Sequence, residues 1–163
     1  MIQIEIADRQ RATTLDLGRI RAAADEILRA EDRLAAEISI AIVANAEMRE
    51  LNRRYLNHDW PTDVLSFRFD DPGEPLSGEV IVNAELAAEV AAQYDWAPAD
   101  ELLLYLVHGL LHLCGYDDGN PQSLRRMRRR ESSLLSTWGL HPVYDGRPRS
   151  GRAAQAATPS GED

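Results

Sequence analysis

Apolar and polar residues alternate where the chain begins. Ile2, Ile4 and Ile6 are interleaved with Gln3 and Glu5, the period of a strand with one buried face. The period then lengthens. Leu17, Ile20, Ala24, Ile27 and Leu28 recur at helical spacing and predict a helix over residues 15–29. Ile38, Ile40, Ile42 and Val43 predict a second strand over 37–44, and Asn45 stands where it can cap a helix carrying Met48, Leu51 and Tyr55. Pro61-Thr62-Asp63 breaks the pattern. Residues 64–69 then have strand composition, 70–75 read as a turn-rich loop, and 78–82 as a fourth strand. Asn83 is placed to cap an alanine-rich helix over 84–93. Pro98, followed by Asp100 and Glu101, suits the start of another helix. That helix is apolar almost all round as far as Cys114, which marks it as the central buried one. Gly115 stops it, in the left-handed conformation open to glycine. An amphipathic helix over 121–138 ends the pattern.

About four strands and about five helices predict an α/β (α+β) fold, with helices packed on one small mixed sheet. Residues 1–145 read as one domain, and 146–163, rich in Gly, Pro, Ser, Ala and Arg, as a disordered tail. With 44% hydrophobic and 28% charged residues, the 163-residue chain is ordinary globular protein rather than disorder. The single cysteine, Cys114, rules out a disulfide within the chain and suits a reducing compartment. The first residues do not resemble a secretory signal, and no apolar run approaches the roughly 18 residues of a membrane span, so a cytoplasmic protein without membrane contact is expected. A net charge of −9 argues against broad nucleic-acid binding. Arg125, Arg126, Arg128, Arg129 and Arg130 form a local exception, readable as a phosphate-binding run or as a solvated helix face. Trp60, Trp96 and Trp138 read as packing residues rather than base-stacking platforms.

The chemistry concentrates in His108-Gly109-Leu110-Leu111-His112-Leu113-Cys114-Gly115-Tyr116-Asp117-Asp118. Four residues apart on a helix, His108 and His112 share one face and can reach one ion. Gly115 lets the chain double back, so Asp118 can return to the same ion. Asp117 is the alternative third ligand, and otherwise a turn or supporting residue. Two imidazoles on so apolar a helix are costly to bury unless they bind something. Three protein ligands leave a fourth position open, the layout of a catalytic zinc site. The spacing resembles that of metzincin proteases, but those carry a glutamate base directly after the first histidine, where this chain has Gly109. A zinc peptidase is thereby disfavoured.

His108 to Asp118 also resembles the signature of the bacterial rRNA maturation endoribonuclease family YbeY, typically His-Gly-x-Leu-His-Leu-x-Gly-Tyr-Asp-His. Pro61-Thr62-Asp63-Val64-Leu65-Ser66-Phe67 and Gly78-Glu79-Val80-Ile81-Val82 resemble two further family elements, and Met127, Glu131, Leu134, Leu135 and Gly139 fit its closing helix. The resemblance is firm over residues 37–140. It implies a mixed α/β fold and one zinc ion held by His108, His112 and Asp118. It further implies cleavage of single-stranded RNA in 16S rRNA 3′ end maturation and ribosome quality control. The implied partners are rRNA and the small ribosomal subunit, with ribosomal proteins or assembly GTPases as further candidates. Two positions depart from the family. Asp118 stands where a third histidine is usual, and Leu56 stands where many members carry an arginine that holds phosphate. Arg53, Arg54, His58 and Arg68 are the candidates to replace it. No residue declares itself as general base, and the RNA 2′-hydroxyl is an alternative nucleophile. A ribosome-assembly factor that binds without cutting is the rival reading.

Overall fold

In the structure, a computed structural model describing residues 1–147, β1 (Ile2–Asp8), β2 (Ala36–Val43), β3 (Val64–Arg68) and β4 (Leu76–Asn83) form one sheet in the order β1-β2-β4-β3. β1, β2 and β4 are parallel, and β3 closes the far edge antiparallel to β4. Strands in the middle of such a sheet are covered on both faces and so read as apolar runs rather than alternations. β2 and β4 do so in their second halves, from Ile40 and Val80 onward, while β1 on the edge alternates.

Five helices cover the sheet: α1 (Leu17–Ala30), α2 (Asn45–Leu56), α3 (Ala84–Ala91), α4 (Pro98–Leu113) and α5 (Pro121–Ser136). Adjacent side chains on a strand point to opposite faces. Ile38, Ile40, Ile42, Val64, Val80 and Val82 therefore share one face and join the main core with α1, α3, α4 and α5. Ala41, Val43, Leu65, Phe67 and Ile81 share the other and make a smaller core under α2 with Met48, Leu51 and Leu56. Every residue of α4 from Glu101 to Leu113 is buried, as its all-round apolar sequence predicts.

Two glycines set how closely α4 lies on the sheet. A Cβ on Gly109 would stand 2.6 Å from Val80 Cγ1 and 2.9 Å from Val64 Cγ2. One on Gly78 would stand 2.6 Å from the Phe67 carbonyl oxygen and 3.0 Å from Leu113 Cδ1. Gly109 thus faces β3 and β4.

The helices fall where the pattern puts them, with shifted ends. Asp16 caps α1 by accepting the Arg19 N–H at 3.1 Å, so the helix starts at Leu17. Asn45 is not the cap of α2. Ala44 holds that place without a side-chain bond, while the Asn45 N–H goes to Glu85 Oε1 at 2.9 Å. Gly146 and Arg147, expected in the tail, instead pack on the domain: Arg147 forks onto Glu101 at 2.7 and 2.9 Å and lies over the Tyr94 ring. The rest of the expected tail, 148–163, lies outside the described residues. Among the described residues, no helix is long and apolar enough to cross a membrane.

Candidate metal centre

α4 carries His108 and His112 one turn apart, with ring centroids 4.7 Å and Nε2 atoms 3.1 Å from each other. The helix then ends as expected. Gly115 adopts φ 104°, and the Tyr116 N–H returns to the Leu111 carbonyl at 3.0 Å. Asp117 Oδ1 accepts the backbone N–H groups of Asp118 and Gly119 at 2.8 and 3.0 Å. This turn sends Asp118 back toward the histidines. Its Oδ2 lies 3.3 Å from His108 Nε2, and its Oδ1 lies 3.5 Å from His112 Nε2. Asp117 serves the turn, and Asp118 serves the cluster.

These separations suit a shared metal ion. Ligand atoms about 2.0–2.1 Å from a tetrahedral zinc ion stand roughly 3.3–3.4 Å from one another. The observed 3.1, 3.3 and 3.5 Å lie near that value, the last two measured to different oxygens of Asp118. The side chains of His108, His112 and Asp118 are only 3%, 1% and 13% exposed. Asp118 Oδ2 is buried and makes no well-directed hydrogen bond. A buried carboxylate is costly, and a cation beside it removes the cost. The three side chains fit one metal ion.

Behind His108 stands a group that sequence reasoning placed in the closing helix without a role. Glu131 on α5 is buried, and its Oε2 lies 2.5 Å from His108 Nδ1. The Tyr144 hydroxyl donates to Glu131 Oε1 at 2.9 Å. A carboxylate on the remote nitrogen fixes a ligand histidine's tautomer and ring orientation. The available signal was a glutamate on the buried stripe of α5 between Met127 and Leu134. His112 has no such support, since its Nδ1 is buried without a partner. Burial disfavours charge on His108, but the carboxylates of Glu131 and Asp118 outweigh it and lift its pKa from 6.5 to about 10. Burial would raise Asp118, yet the two histidines hold its carboxyl well below the usual carboxylate range. Burial pushes the half-buried Cys114 thiol up to about 11, which leaves it protonated and unreactive at neutral pH.

The candidate phosphate contacts are dispersed. Arg53 pairs with Glu50 on the exposed face of α2, Arg54 is exposed beside it, and Arg68 is held by Asp70 at 3.0 Å. His58 stacks on Trp60, with centroids 4.4 Å apart. None of the four lines the cavity of about 440 Å³ that opens beside His108, among Trp60, Asp63, Tyr105, Arg128 and Tyr144. Leu56 belongs to the small core under α2. On α5, Arg126 and Arg128 lie over the rings of Tyr116 and Tyr144, and Arg130 is bound to Glu31. Trp96 and Trp138 pack against the main core as expected, but Trp60 is 41% exposed.

A mostly parallel sheet carrying a buried helix with a His-His-Asp cluster at its end defines an α/β protein with a three-residue group that could hold a metal ion. The profile of the endoribonuclease YbeY family matches residues 5–139, and the chain belongs to that family. An endoribonuclease YbeY of Anaeromyxobacter sp. (strain Fw109-5) is 42% identical over 144 residues, which are 86% of this chain and 74% of that protein. One of Syntrophus aciditrophicus is 32% identical over 147 residues, covering 86% and 92%. The solution structure of TM1509 from Thermotoga maritima superposes with a TM-score of 0.58 at 25% identity, over 91% of this chain and all of that one.

Proposed function

We propose that this chain is a zinc-dependent endoribonuclease that cuts single-stranded RNA, acting in 16S rRNA 3′ end maturation and ribosome quality control in the cytoplasm. The observation that carries the reading is the convergence of His108 Nε2, His112 Nε2 and the Asp118 carboxylate within reach of one ion, in a chain of the YbeY family. Zinc, when bound there, supplies Lewis acidity to a phosphoryl oxygen or to water. The chain does the rest. Glu131 keeps the His108 Nδ1 proton, so the Nε2 lone pair faces the cluster. Tyr144 holds Glu131 in place. Asp118, in place of a third histidine, lowers the net charge of the centre by one, which makes it a milder Lewis acid. Small-subunit rRNA is the proposed substrate, and ribosomal proteins or assembly GTPases are the proposed partners.

Leu56 favours a second reading. It packs under α2 and offers no cation where many family members carry arginine, as would suit an assembly factor that binds the small subunit without cutting. Elemental analysis of wild type, His112→Ala and Asp118→Ala, paired with cleavage of a single-stranded RNA, separates the readings. The nuclease reading expects near-stoichiometric zinc that falls in both variants together with cleavage. Stoichiometric zinc with ribosome association but no cleavage supports the second reading, and a wild type that takes up no zinc removes the first.

A further inference from the structure

The cavity beside His108 has the size of a ligand site: its 440 Å³ falls within the range of about 300–1,000 Å³ typical of small-molecule pockets. Its rim is an aromatic face fixed in advance. Trp60 is 41% exposed and backed by the His58 ring at 4.4 Å and 13° from parallel. The Trp60 carbonyl accepts from Asn52 Nδ2 at 2.8 Å, and the Thr62 carbonyl from Asn83 Nδ2 at 3.1 Å. The loop that presents Trp60 is therefore pinned at two points.

The wall carries the carboxylates of Asp63, Glu101 and Glu131 and the guanidiniums of Arg128 and Arg147. Glu101 is held by both Arg147 nitrogens, and Glu131 by His108 and Tyr144. Arg128 lies over the Tyr144 ring, 5.0 Å from its centroid, and among the described residues it has no carboxylate partner. The lining thus combines an exposed indole face, an apolar wall from Leu86 and Val90, and the Arg128 guanidinium, and it meets the candidate metal centre at His108, not at His112 or Asp118. Aromatic faces take any base by stacking, and arginine takes phosphate.

We propose that this cavity seats one nucleotide of the RNA strand beside the phosphodiester to be cut, with its base on Trp60 and its phosphate on Arg128. The proposal rests on the endoribonuclease reading and deepens it. Arg128 supplies from α5 the cation that is missing at Leu56. A base can enter only after leaving its helical stack, which costs least in a single strand. Preference for single-stranded RNA follows from the pocket's shape.

The test is binding of a 2′-O-methyl RNA hexamer to the purified protein, read by tryptophan quenching and by anisotropy of a labelled strand, with strand integrity checked afterwards. Trp60→Ala should weaken binding about fivefold or more and abolish most of the quenching, while Trp60→Phe retains binding. Arg128→Gln should weaken it and lower the salt dependence by about one counterion. A hexamer with one abasic position should bind wild type as weakly as the full strand binds Trp60→Ala. Wild-type affinity in both Trp60→Ala and Arg128→Gln overturns the pocket, as does quenching by a mononucleotide without strand binding. Cleavage of unmodified RNA is scored separately. Binding through Trp60 and Arg128 without cutting keeps the pocket and removes the nuclease reading, whereas cutting with unaffected variants does the reverse.

Discussion

His108 is held from both sides of its ring, by the cluster at Nε2 and by Glu131 at Nδ1. Removing such a support typically costs about 10–100-fold in metal affinity. Glu131→Ala should show a loss of that order in competition with a chromophoric chelator, and Glu131→Gln, which can still accept the Nδ1 proton, a smaller one. The His108 pKa gives a pH signature. It is raised from 6.5 to about 10, so its contribution to the stability of the metal-free protein is complete below about pH 6.5 and lost as pH rises toward 10. Melting of chelated protein should therefore fall in temperature across that window, and less so in Glu131→Ala. A flat profile in the wild type would contradict the pairing. Metal binding at pH 7 should release about one proton, measurable by calorimetry in buffers of different ionisation enthalpy. His108, His112 and Asp118 were legible in the sequence because helical spacing and one glycine bring them together locally. Asp118 was the expected third member and Asp117 the lesser alternative, and the turn's own hydrogen bonds occupy Asp117. Glu131 lies 23 residues from His108 and meets it only because α5 packs against α4.

α4 is the element on which the site depends, and its contact with the sheet passes through Gly109. Adding one methyl would drive a carbon to 2.6 Å from Val80, which must move or push the helix away. Gly109→Ala should destabilise the protein by about 1–3 kcal/mol, the usual range for overpacking, and lower its thermal midpoint. An unchanged midpoint would show that α4 and β4 have slack that the packing does not suggest. The same geometry explains the missing protease glutamate: the position faces the sheet and not the ligand cluster. The apolar character of α4 made the helix legible, whereas the closeness of its packing needed the fold. Caps divided in the same way. Asn83 caps α3 as its position suggested, accepting the Leu86 N–H at 3.1 Å. Asn45 looked equally suitable, but its side-chain oxygen accepts from Asn83 Nδ2 at 2.8 Å, so a tertiary partner displaced the local one. Trp60, expected to pack, does so against the His58 ring while remaining 41% exposed, on a loop anchored by Asn52 and Asn83.

Across the molecule, a net charge of −9 sits awkwardly with an RNA substrate. The basic run of α5 is a local exception, in which Arg130 is bound to Glu31 while Arg126 and Arg128 lie over tyrosine rings and keep their charge. Affinity should therefore come from a few placed contacts rather than from a broad positive field, and a shallow salt dependence goes with that. The fold class was readable because the strand and helix periods are clean; the sheet order was not, because β3 joins beyond β4 rather than beside β2. The central claim, that the His-His-Asp cluster holds the ion needed to cut RNA, is tested most directly by one titration. Protein stripped with a chelator and shown metal-free by elemental analysis would be assayed on single-stranded RNA while zinc is added back. No cleavage is expected at the start, with recovery that saturates near one zinc per chain and is absent in His112→Ala. Full cleavage by the metal-free protein would contradict the claim.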